Sequence, residues 1–187
     1  MKKIVIIALV AAAVSSVFAQ DAAPTAEEQA PVREERGRHD VWPAFIAVCE
    51  YPDVTDVIGI RLTIPFSTKQ DNVTGIDLGL WGRSLYFEGI QVNILRNDVK
   101  DDLSGVQVGL FNTVGGGDFL GAQVGLWNEA GFMRGFQAGL VNVCGEAQGV
   151  QVGLINRAET MYGYQVGLVN IIRDAELQFF PIVNIGF

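Results

Sequence analysis

Arg61 and Asp77 are charged residues at the third place of their apolar segments, and they lie 16 positions apart. Side chains of opposite sign in such a setting can hold each other as an interior ion pair or line a narrow polar passage. A structural bridge within a filled interior is the plainer expectation. Little else in the sequence carries chemical potential. Catalysis needs convergent titratable groups, and here nearly all of them lie between the apolar segments. His39 is the single histidine, so no Cys-His or Ser-His partnership is available to activate a nucleophile. The "GGG" at 115–117 is not followed by the Lys-Ser/Thr of a phosphate-binding loop and reads as a turn insertion. The "NDVKDD" at 97–102 has carboxylates suited to Ca²⁺, but it lacks the glycine and closing glutamate of an EF-hand loop and reads as a solvated acidic loop. No catalytic residue, cofactor or metal site is assigned, and the chain is not expected to be an enzyme.

The elements that must position Arg61 and Asp77 are repeats. "GVQVGLFN" (105–112), "GAQVGLWN" (121–128), "GFQAGLVN" (135–142), "GVQVGLIN" (149–156) and "GYQVGLVN" (163–170) are near copies. The same frame recovers "GIRLTIPF" (59–66), "GIDLGLWG" (75–82) and "GIQVNILR" (89–96), a degenerate "LQFFPIVN" (177–184) and a weak "FIAVCEYP" (45–52). The defining glutamines are Gln91, Gln107, Gln123, Gln137, Gln151 and Gln165; the defining asparagines are Asn112, Asn128, Asn142, Asn156, Asn170 and Asn184. Arg61 and Asp77 occupy the Gln slot of their units. Repetition on this scale governs the choice of fold.

Within a unit, Val106, Val108 and Leu110 alternate with Gly105, Gln107, Gly109 and Phe111. Period two with Val, Ile and aromatic residues is a strand signal. Spacings of 14 and 16 preserve the parity from Arg61 to Gln165, so Val, Leu and Ile share one side and Gly and Gln the other. The chain therefore reads as all-β, with about ten short strands from 14–16-residue repeats. Its leading architecture is an antiparallel meander closed into a small barrel, which removes the edges and turns the apolar side to lipid and the Gly/Gln side to a lumen. The alternative is a parallel β-solenoid with one repeat per coil, Gly and Asn at the corners, and Gln and Asn stacked in ladders. The connectors favour the barrel: "STKQDNVT" (67–74) and "VCGEAQ" (143–148) carry few large apolar side chains, too few to fill a solenoid's second arm. The last unit counts against it, because Phe179, Val183, Ile185 and Phe187 have the parity of the Gly/Gln side.

The ends suggest a location. "MKKIVIIALVAAAVSSVFAQ" has a basic start, an apolar stretch and a small-residue cleavage pattern, so residues 1–19 are expected to be a secretory signal peptide cut near Ala19. Residues 20–41 are rich in Ala, Pro, Glu and Arg and predict a flexible acidic leader; His39 lies within it. Residues 42–187 form the repetitive β domain. Removing Lys2 and Lys3 with the signal takes the net charge from -8 to -10, which excludes a nucleic-acid binder, since phosphate contacts need clustered Lys and Arg. Cys49 and Cys144 are the only cysteines; in an exported protein they can form a disulfide or remain two packed thiols.

The unit G-x-Q-x-G-L-x-N, close over 105–170 and looser over 59–104 and 177–187, resembles that of a family of uncharacterised bacterial surface-repeat proteins. The resemblance implies an extracytoplasmic, surface-associated setting and brings no catalytic residues. The lipoprotein cysteine found in some members is lacking. "QVGLWNEA" (123–130) and "QAGLVNVC" (137–144) are also similar to the curlin amyloid unit. The functional expectation is an exported structural protein of the outer membrane or cell surface. Its partners would be outer-membrane lipid or other surface components, with self-association as a further mode. The alternatives are a secreted self-assembling or adhesive solenoid and, ranked below it, a small ligand-binding periplasmic barrel.

Overall fold

In the computed structural model the described residues are 44–49, 51, 56–67 and 71–187. They belong to the second of two compact units, Val41–Phe187. The expected signal peptide, the leader and His39 lie outside them.

Alternation of β-branched and other apolar residues with Gly and Gln favours extended backbone, and the described chain is organised as strands. These are β1 (Ala44–Val48), β2 (Asp56–Ser67), β3 (Asn72–Ser84), β4 (Tyr86–Val99), β5 (Leu103–Val108), β6 (Phe111–Val124), β7 (Trp127–Ile172) and β8 (Phe179–Gly186). β1 to β7 pair in parallel in chain order. Each repeat lies on the one before it in register: Gly59 pairs with Gly75, Gly75 with Gly89, Gln91 with Gln107 and Gln107 with Gln123. β1, which overlaps the weak unit, joins the stack, with Ile46 beside Ile60 and Ala47 beside Arg61.

This is a parallel β-solenoid, and the expected antiparallel meander closed into a barrel is overturned. The segments read as connectors do not reverse the chain. Those within 127–172 turn corners while remaining hydrogen-bonded to the coil below, which is why β7 runs unbroken through 46 residues. Parallel, in-register stacking places each amide side chain on an identical one, an arrangement that hairpins between neighbouring repeats cannot make.

The connectors also fill the core, contrary to the expectation of a thin second arm. The coil that begins at Gly105 turns Gln107, Asn112, Val114 and Phe119 inward, all buried. One apolar column contains Val99, Val114, Ala130, Cys144, Ala158 and Ile172; a second contains Val57, Val73, Phe87, Leu103, Phe119, Met133, Ala147 and Met161. From Phe87 onward each turn thus supplies one side chain to each column, and small residues in one coil stand beside large ones in the next. The other half of the interior is polar.

A parity switch at one corner builds this interior. Leu110 and Phe111 are consecutive and both exposed, while Asn112 is fully buried. Phe111 therefore leaves the side that the alternation assigned to it, and the closing Asn enters. At the opposite corner Gly149 has φ +144°, and a Cβ there would overlap the carbonyl of Gly135. Only glycine satisfies both conditions at that corner. The triple glycine is a bulge: Val114 pairs with Ala130 and Asp118 with Phe132, so residues 115–117 stand opposite Gly131 alone.

β8 ends the stack by running antiparallel to the last coil, with Ile185 beside Tyr164, Asn184 beside Gln165 and Val183 beside Val166. Reversal of direction explains the anomalous parity of the final unit. It also corrects the assignment of Asn184, which lies over the Gln column and not in the Asn column.

Candidate functional site

The column that starts at Ala47 continues with Arg61, Asp77 and the glutamines, all with zero exposure, and closes on Asn184. Arg61 Nη2 lies 2.7 Å from Asp77 Oδ2 and its Nη1 donates to the Arg83 carbonyl at 3.0 Å. The two residues read as a candidate pair therefore meet in the interior. Asp77 Oδ2 also accepts from Gln91 Nε2 at 2.8 Å and Asn93 Nδ2 at 3.0 Å. A buried ion pair persists when further hydrogen bonds compensate for lost hydration; here Asp77 Oδ2 gathers three donors, while Asp77 Oδ1 and Arg61 Nε have no hydrogen-bond partner among the described residues.

From Asp77 the glutamine amides form one chain of donors directed toward the N-terminal end. Gln107 donates to Gln91 at 2.9 Å; Gln123, Gln137, Gln151 and Gln165 each donate to the preceding glutamine at 2.8 Å. The asparagines run in the opposite sense. Asn97 donates to Asn112 at 2.7 Å, and Asn112, Asn128, Asn142 and Asn156 each donate to the next at 2.8 Å. The second amide hydrogen of Asn112 goes to the Val124 carbonyl and that of Asn142 to Val152. Aligned amides polarise one another; the two antiparallel rows oppose their dipoles, and the Asp77 carboxylate sits at the donor end of one, where negative charge is favoured. Gly153 makes space for the second row, since a Cβ there would lie 2.7 Å from Asn142 Nδ2.

Asn93, Asn97 and Thr63 also belong to this interior and were not legible as such. Thr63 and Asn97 each bond to Asn93. The signal for Asn97 was its place 15 residues before Asn112, one residue off the even spacing. It stands at the start of "NDVKDD", which is not simply a solvated loop: Asp98 is buried, with Lys100 Nζ at 3.0 Å and Arg83 Nε at 3.6 Å. The cysteines are both free. Cys144 packs in an apolar column, where burial first and then the Glu146 carboxylate push its thiol up to about 12, partly opposed by a backbone hydrogen bond at Met133. Such a thiol is unreactive at neutral pH. A shallow groove of about 360 Å³ along the glycine corner is lined by Glu88, Asp102, Asp118 and Arg134 among others and is open to solvent.

The Gln and Asn rows of the interior are occupied with one another, and the outside is the candidate working surface. Val, Leu and Ile of the repeats stack there in three columns. One runs Ile60, Ile76, Ile90, Val106, Ala122, Phe136, Val150, Tyr164; the next Leu62, Leu78, Val92, Val108, Val124, Ala138, Val152, Val166; the last Ile64, Leu80, Ile94, Leu110, Leu126, Leu140, Leu154, Leu168. No charged residue interrupts them. Leu154 is 49% and Leu168 67% exposed. Charges such as Lys100, Glu129, Arg134, Glu146 and Glu159 lie on the other arm and the corners. A sheet face in water ordinarily alternates with polar residues, so a face with this composition is equipped for apolar contact. No protein-family model, curated protein or solved structure matches the chain.

Proposed function

We propose that the protein is an exported, non-catalytic structural β-solenoid of the outer membrane or cell surface that acts by contact through its apolar sheet face. The observation that carries this reading is the charge-free exterior of Val, Leu and Ile, backed by a core whose Gln and Asn rows bond to one another. A contiguous exposed apolar patch of more than a few hundred Å² marks an interaction site. The secretory pattern of residues 1–19 and the resemblance of the G-x-Q-x-G-L-x-N unit support the location. The secreted, self-assembling alternative draws support from the Gln and Asn ladders, which are the bonds that hold stacked β-structures together. Growth by end-to-end stacking of parallel coils is opposed by β8, whose antiparallel course and Pro181 interrupt the ladder at that end.

Cell fractionation tests the proposal. The wild type is expected in the outer-membrane or surface fraction, released by detergent and not by salt. Leu126→Arg with Leu140→Arg places two charges midway along the outer column of the face without touching the core. That variant is expected to fold with an unchanged circular-dichroism spectrum and to shift to the soluble exported fraction. A variant that partitions like the wild type, or a wild-type chain retained in the cytoplasm, refutes the reading.

A further inference from the structure

The face described above has an uncovered side that its strand arrangement does not favour. Parallel sheets are ordinarily covered on both faces, and among the described residues only the inner one is. From Ile60 to Tyr164 the face rises through the strands that follow the eight positive-φ glycines, about 34 Å at ~4.8 Å per strand, and spans about 15 Å along each strand. That is a footprint of roughly 500 Å². Two such faces brought together reach the roughly 1,000 Å² that a specific interface needs.

The relief of the face selects the occupant. Phe136 projects from the first column, with Ala122 below it in the same column and Ala138 beside it on the same strand. A protruding ring thus adjoins a hollow, and the pair lies well inside the array. A surface with a knob and a hole side by side is complementary to itself under a two-fold rotation. Stacked sheets pack about 10 Å apart with interdigitated side chains, which suits three straight columns. Charge points the same way. No Lys or Arg on the face would attract anionic lipid headgroups, and the chain's net charge is -8. No charge would be buried if two copies met. Residues 20–41 carry almost no large apolar side chains with which to cover it.

We propose that the apolar face is covered by the same face of a second copy, in a two-fold sandwich whose axis runs along the middle column, so that the hollows at Ala138 of the two copies face each other and Phe136 of each copy leans into the space between them. This rests on the reading of the face as the working surface and names its partner. The acidic arms point away from the contact, so salt strengthens the association, in contrast to a partner held by charge.

Sedimentation and light scattering of the purified protein at tens of micromolar test it. The expected mass is twice that of the chain. Ala138→Lys buries an unpaired charge near the axis and is expected to weaken the dimer at least about a hundredfold with unchanged circular dichroism, whereas Gly116→Lys, on an open part of the opposite arm, leaves it intact. Ala138→Lys and Ala138→Glu chains mixed in equal amounts are expected to recover the dimer, because the two charges meet across the axis. A monomeric wild type, a folded Ala138→Lys chain that remains dimeric, or a mixture that stays monomeric overturns the proposal. Flotation of a monomeric wild type with phospholipid vesicles would overturn it while leaving the surface-contact function standing.

Discussion

Gln137 is shielded from water and has neighbours on both sides: its Nε2 donates to Gln123 and its Oε1 accepts from Gln151, each at 2.8 Å. The barrel reading placed this position on the wall of a lumen, where a charged side chain can be hydrated. The solenoid reverses that expectation. Gln137→Arg introduces a cation among neutral amides and is expected to cost about 3–5 kcal/mol, the range for a buried charge without a partner. The same column shows what would rescue it, because Arg61 is held there by Asp77 on the next coil. Gln137→Arg combined with Gln151→Asp restores that order and should recover part of the loss in urea denaturation; no recovery would mean that the ion pair depends on Asn93 and the Arg83 carbonyl more than on the ladder. Cys144 gives a prediction in pH. Its folded thiol keeps its proton to about 12, against an ordinary value of 9.0. Stability from the protonated form is therefore complete below pH 9 and declines as pH rises toward 12, because the unfolded chain ionises first. The wild type should lose stability faster than Cys144→Ala across that interval, by up to about 1.4 kcal/mol per pH unit. Alanine is the matched replacement, since Ala130 and Ala158 occupy the adjoining places. Equal slopes would refute the assignment.

The coil is the element that the repeat encodes, and its boundaries are set by side-chain columns more than by strand ends. Residues 135–148 make one coil. Their removal joins Arg134 to Gly149, sets Gln151 on Gln123 and Asn156 on Asn128, and brings Ala158 to Ala130 and Met161 to Met133. Every column stays continuous. A chain lacking those residues is expected to fold with one cooperative transition and a lower midpoint, as repeat proteins lose one nearest-neighbour interface per unit removed; an unfolded product in circular dichroism would show that the coils are not equivalent. The glycine corner is legible in the sequence as a recurrent Gly, and the structure supplies the reason at Gly149. The corner between Leu110 and Asn112 was not legible. Two consecutive residues that both face outward break strict alternation, and a pattern of period two carries no sign of where the chain bends.

At the scale of the molecule, charge and apolar surface are segregated: amides and small apolar columns inside, Val, Leu and Ile on one outer face, ions on the other arm. The Leu126→Arg/Leu140→Arg and Ala138→Lys experiments act on that outer face alone, which is why they are expected to alter location or assembly and not the fold. The sequence by itself determined that the chain is a β repeat, that Gln and Asn recur at fixed places in the unit, that Arg61 and Asp77 share the Gln slot, and that Val, Leu and Ile share one side. These follow from period and composition, which are local and counted along the chain. Only the tertiary structure decided that successive copies run parallel and that the amide side is the enclosed one. Alternation is satisfied equally by a strand with its amides in or out, and backbone hydrogen bonding is satisfied equally by a meander or a coil. The choice lies in contacts 14 to 16 residues apart, where identical amides meet and the connectors supply apolar side chains to the core, and no local pattern records those contacts.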